Sequence, residues 1–157
     1  MKKDRLIPAL GILCILSVFT MVTVLWGSGA DNSFSPPPFE SGAVSGLPAV
    51  PEGLGFQQLD AGVFRVNLCG RIRVREESAE VWFSNPEGNS VWLKLRILDE
   101  DGNILGQTGL LRPGEYVRGV TVADLPAGTP VVLKVMAYEP DTYRSAGALT
   151  LHTRIAQ

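Results

Sequence analysis

The chain has 157 residues, 45% of them hydrophobic, with 14 basic and 16 acidic side chains and a formal net charge of −2. That length allows one domain, or one domain with appendages. The charges nearly cancel, and no clustered field of Lys and Arg exists of the kind nucleic-acid binding rests on, so no nucleic acid is expected as a partner.

The first element is hydrophobic. Residues 1–5 are a basic start with Lys2, Lys3 and Arg5, and residues 6–26 then run without a single charge. As a helix at ~1.5 Å per residue, that segment is about 31 Å long, the thickness of a bilayer's hydrocarbon core. No Lys or Arg follows until Arg65, so the positive-inside bias places the N-terminus in the cytoplasm and the rest of the chain outside. The length and the interfacial Trp26 fit an uncleaved transmembrane signal-anchor in a single-pass cell-membrane protein. A cleaved signal with its cut before Asp31 is the alternative, though its apolar region would be longer than usual. Cys14 follows Leu13 in mid-segment, which is the wrong context for a lipoprotein signal.

Residues 27–60 are dominated by Gly, Ser and Pro, with Pro36, Pro37 and Pro38 in a row. No apolar period survives there, and a flexible extracytoplasmic linker is expected. The β domain is expected over 61–157. Cys69 is its only cysteine, so no disulfide staples it.

From residue 63 the pattern has a period of two. Over 63–75, Phe64, Val66, Leu68, Gly70, Ile72 and Val74 share one face and the arginines the other, a half-buried strand with a bend at Gly70. Residues 79–84 and 91–98 follow, separated by Asn85-Pro86-Glu87-Gly88-Asn89, which is rich in turn formers. Asp101-Gly102 gives a hairpin signal into 104–108. Further strands are predicted at 116–122, 131–138 and 149–155, each bounded by Pro/Gly turns. Seven short strands and no helical period after Trp26 predict an all-β, seven-stranded immunoglobulin-like Greek-key sandwich.

The order of turn motifs resembles a known kind of protein. Phe83-Ser84-Asn85-Pro86 with Asn89, Leu98-Asp99-x-Asp101-Gly102, Thr108-Gly109-Leu110-Leu111-x-Pro113-Gly114, Leu125-Pro126-x-Gly128 and Ala137-Tyr138 are similar to motifs of uncharacterised small membrane-anchored surface proteins of Gram-positive bacteria. Those proteins pair one N-terminal hydrophobic segment with one β-sandwich. The resemblance covers roughly residues 79–155 and implies fold and location; it implies no active site.

Catalytic chemistry finds little to work with. His152 is the sole histidine, and one imidazole without cysteine or carboxylate partners at meaningful spacing builds neither a triad nor a zinc site. Serine-nucleophile and phosphate-loop motifs are missing. The acidic run at 99–103 has no terminal acid for a calcium loop and reads as a hairpin turn. Neither enzymatic activity nor a cofactor or metal is expected.

The surface lead is Trp82 with Trp92, both alternating away from the apolar stripes. A hairpin across Asn85–Asn89 would set Glu80 against Lys94 and Trp82 against Trp92, giving an aromatic platform for a partner. The alternative is that the two strands cross between sheets and one tryptophan is core. The function expected is adhesion or protein interaction, by a membrane-tethered module with an unknown extracellular protein or glycan as partner. Carbohydrate binding through Trp82 and Trp92, or service as an accessory subunit of an envelope or conjugation apparatus, are the alternatives.

Overall fold

The computed structural model describes residues 34–156. The expected membrane helix at 6–26, the basic start and the first part of the expected linker lie outside the described residues. Among those described, no helix is long and apolar enough to cross a membrane.

Among the described residues, ten strands form two antiparallel sheets. In chain order they are β1 (Val44–Ser45), β2 (Phe56–Asp60), β3 (Arg65–Cys69), β4 (Arg73–Arg75), β5 (Ser78–Asn85), β6 (Trp92–Leu98), β7 (Ile104–Gln107), β8 (Glu115–Thr121), β9 (Pro130–Tyr138) and β10 (Ser145–Arg154). One sheet has the order β1-β8-β5-β3-β2, with β4 also pairing β5; the other has the order β10-β9-β6-β7. The chain crosses between sheets from β5 to β6, from β7 to β8 and from β8 to β9.

The period of two decides what is inside. Phe64, Val66 and Leu68 of the first sheet's side, and Leu93, Leu95, Ile97, Val131, Leu133 and Val135 of the second, belong to one buried cluster. The apolar face of each core strand is thus covered by the other sheet, removing about 25 cal/mol of unfavourable hydration per Å² of apolar surface. Along β9 the alternation of buried and half-buried residues is unbroken from Pro130 to Tyr138.

Two expectations are corrected. The first concerns the strands. Residues 63–75 are two strands, β3 and β4, because the chain breaks at Gly70 and Arg71, whose amides donate to Gly55 and Leu54 carbonyls at 3.0 Å each. With β1 and β2 added, the count is ten and not seven.

The second concerns the linker. The compact unit begins at Pro36, so residues 36–60 are part of the folded body. Phe39 bridges Leu110 in parallel, β1 pairs β8, and β2 pairs β3 from Phe56 opposite Cys69 to Asp60 opposite Arg65. These stretches are fastened by main-chain hydrogen bonds to sheet edges, which leave no apolar alternation in the sequence; β2 is exposed at four of its five residues.

Candidate functional site

The two tryptophans do not meet. The loop from Asn85 to Asn89 joins strands of different sheets, so β5 pairs β8 and β6 pairs β9. What enforces the crossing is Asn85, fully buried. Its side-chain amide donates to the carbonyls of Val91 and Leu111, both at 2.9 Å. Its Oδ1 accepts from Asn89 Nδ2 at 2.7 Å, while Asn89 Oδ1 accepts from the Arg65 amide at 2.9 Å. The paired-platform reading of Trp82 with Trp92 fails on this point, and the alternative, strands that cross between sheets with one tryptophan buried, is what the structure has.

Trp82 lies on the outer side of the six-stranded sheet but is only 8% exposed. It stacks on Tyr116 with ring centroids 6.3 Å apart and packs with Leu54, Cys69 and Val50. Leu54 and Val50 come from the segment 46–55, which runs across this face. Trp82 is therefore not an open ligand surface. It also sits at a β-bulge where the register slips between Glu80 and Phe83, with φ of 45°, a conformation that strains a bulky side chain. Its indole N–H is buried and has no partner.

Around it is a charged cluster. Glu80, 5% exposed, accepts from Arg118 at 2.8 Å and pairs with Arg73 at 3.3 Å. The hydrogen bond from Arg118, with the nearby Arg73 charge, holds the Glu80 carboxyl below its usual range. Cys69 is buried; burial first, and the Glu80 carboxylate second, push its thiol up to about 11, which makes it a poor nucleophile at neutral pH. Beside this cluster a cleft of about 510 Å³ is lined by Arg75, Glu76, Ser78, Glu80, Arg118 and Gly119. Three guanidiniums there (Arg73, Arg75, Arg118) meet three carboxylates (Glu76, Glu77, Glu80), so the region has no net field to draw a charged ligand.

Trp92 is half-buried and lies at the start of β6 on the outer side of the other sheet. Phe39 meets it edge-on, with ring centroids 4.8 Å apart and planes at 77°. Tyr143 also meets it, with ring centroids 5.2 Å apart and planes at 60°. The Arg112 guanidinium covers Phe39 at 3.7 Å. Two residues along β6, Lys94 is buried, and burial, then the Arg96 charge, lower its ammonium's pKa.

This row depends on how Phe39 is delivered. The amide of Leu110 donates to the Pro38 carbonyl at 2.9 Å, and that of Glu40 to the Leu110 carbonyl at 2.9 Å. Glu40 Oε2 accepts from the Gly109 amide at 2.6 Å. A Cβ on Gly109 would lie 2.5 Å from the Glu40 nitrogen, so only glycine lets the segment pass so close. Sequence reasoning found Trp92 but missed Phe39, Arg112 and Tyr143. Their one legible signal was that Phe39 is out of character for a spacer.

The hairpin reading of 99–103 agrees with the geometry. β6 and β7 pair across it, Gly102 has φ of 86°, and Asp99 accepts from the Asn103 amide at 2.7 Å and side chain at 2.8 Å. His152 is exposed on β10. Among the described residues no group of three or more His, Cys, Asp or Glu side chains is placed to hold a metal.

No family model matches the chain, and no curated protein is similar to it. Among solved structures, the crystal structure of CopC from Methylosinus trichosporium OB3b is similar, at 15% identity and a TM-score of 0.37, covering 64% of this chain and 93% of CopC. At that identity and score the similarity bears on no residue of the site.

Proposed function

We propose that this protein is a non-enzymatic interaction module of a bacterial cell surface, tethered to the membrane by residues 6–26, and that it engages a protein partner through the row Arg112, Phe39, Trp92 and Tyr143. The row is the observation that carries this reading. Trp, Tyr and Arg are the side chains that dominate binding energy at protein interfaces, and here they sit together, the rings half-buried and the guanidinium exposed, on residues drawn from four separate parts of the chain. Their ring planes stand at 77° and 60° to one another, so neighbouring rings share no flat face for a sugar. This favours a protein over a glycan. The strand order supports an immunoglobulin-like Greek key: β8-β5-β3 faces β7-β6-β9-β10, with hairpins at β6–β7 and β9–β10 and three crossings, an arrangement common in adhesion and recognition domains.

The test is site-specific photo-crosslinking of the full chain in its own membranes. A photoreactive phenylalanine in place of Tyr143 should give a discrete protein adduct, lost on adding Trp92→Ala. The same probe in place of Ile104, an exposed residue of β7, should not. Equal adducts at both positions, or none at Tyr143, would remove the row as the contact surface.

A further inference from the structure

Strand β10 is the outermost of its sheet and the longest strand among the described residues, running without Lys or Pro over its ten residues. Its hydrogen-bonding parity follows from one bond. The Ile155 amide donates to the Thr129 carbonyl at 2.9 Å, and Arg154 stands opposite Pro130. In an antiparallel ladder bonded and non-bonded pairs alternate. The odd-numbered residues of β10 therefore exchange hydrogen bonds with β9, while the amides and carbonyls of Ala148, Thr150 and His152 point away from it. Among the described residues none of these three amides has a main-chain partner outside the strand ladders.

The ends of the edge are occupied. Thr153 Oγ1 donates to the Gly70 carbonyl at 2.8 Å, and the Ala156 amide donates to Ile72 at 2.7 Å. At the other end the Phe64 ring lies 3.8 Å from where a Gly147 Cβ would stand. Between them the edge is open, and its inward leucines betray it. Leu149 and Leu151 are only half-buried, although their neighbours on β9, Val135 and Leu133, are each 1% exposed.

We infer that two copies of this chain join edge to edge through β10, antiparallel, about a two-fold axis at Thr150. In that register Thr150 meets Thr150 of the second copy and Ala148 meets His152, all of them residues whose main-chain groups point outward. Three hydrogen-bonded pairs give about six new main-chain bonds. Leu149 comes opposite Leu151 on the inner face, which extends the apolar stripe across the junction and covers both. Beyond His152 the edge is already taken by Ile72, so the pairing ends there and neither copy brings like charges face to face. The register is self-complementary, as a closed two-fold interface requires, and it gives an exposed edge a partner.

The test is analytical ultracentrifugation of the full chain in density-matched detergent, with Thr150→Pro beside the wild type. Proline at 150 removes an outward amide and leaves the ladder to β9 whole. The wild type should be a dimer, and the variant should dissociate at a concentration at least tenfold higher. A monomeric wild type, or a variant dimer as tight as wild type, overturns the inference. Amide hydrogen exchange on the wild type supplies a second readout should the variant fail to fold. Protection at Ala148, Thr150 and His152 should rise with protein concentration; concentration-independent exchange at all three sinks the edge-to-edge dimer.

Discussion

At the scale of single residues, the fold turns on a few polar side chains that alternation does not explain. Asn85 is a polar residue at the centre of an otherwise apolar crossing, and it satisfies two carbonyls and a neighbouring amide. Asn85→Leu would take from the Val91 carbonyl its partner, at a cost of about 1–3 kcal/mol, while the Leu111 carbonyl keeps the Leu93 amide and the Asn89 side chain keeps the Arg65 carbonyl. Glu80 is the other case. Its carboxyl is held below its usual range by Arg118 and Arg73, so its stabilisation is complete above the unfolded-state pKa and disappears as pH falls through the folded one. Glu80→Gln should destabilise the protein by about 1–3 kcal/mol at pH 7. Because protonated Glu and Gln are near equivalents, the difference should narrow on acidification below the usual carboxylate range. Urea denaturation at pH 7 and in acid checks this, and a gap that stays constant would show that packing, not charge, sets the cost.

At the scale of elements, strands were legible and their partners were not. The period of two located β5 to β10 within a few residues because a sandwich strand buries alternate side chains, and burial is what the pattern records. It could not say which strand lies beside which. Treating Trp82 and Trp92 as neighbours assumed that consecutive strands pair, and the buried Asn85 that separates them looks like an ordinary turn residue. β1, β2 and the Phe39 bridge were illegible for a different reason. They are held by main-chain bonds, to which any sequence contributes equally. The difference is measurable. Leu95, fully buried on β6, should cost about 2–5 kcal/mol when cut to alanine, whereas Trp92→Ala on the outer side of the same strand should cost distinctly less. Equal losses would make Trp92 a core residue and not a contact. Gly109→Ala should displace residues 38–40, because its Cβ has nowhere to go; quenching and emission wavelength of Trp92 report the departure of Phe39, and an unchanged spectrum would refute the link.

At the scale of the whole molecule, residues 36–55 behave as a belt. They bridge Leu110, whose neighbour Leu111 bridges Leu93 of β6, pair with the other sheet at β1, and cross its outer face to Leu54, which is 2% exposed. Everything in the belt is fastened by short patches, whereas the core strands are fastened along their length. Tension entering the domain at Pro36 therefore loads the weakest seams first, and they open one at a time, like a zipper, before any core strand bears force. The first rupture frees Phe39, and the later one lifts Leu54 from Trp82 and Cys69. A thiol that is sealed at rest becomes a gauge of pulling. Under force clamped below the unfolding threshold of the core, Cys69 should become reactive towards maleimide while the sandwich stays folded. A domain that yields no labelling until it unfolds outright would show that belt and core part together.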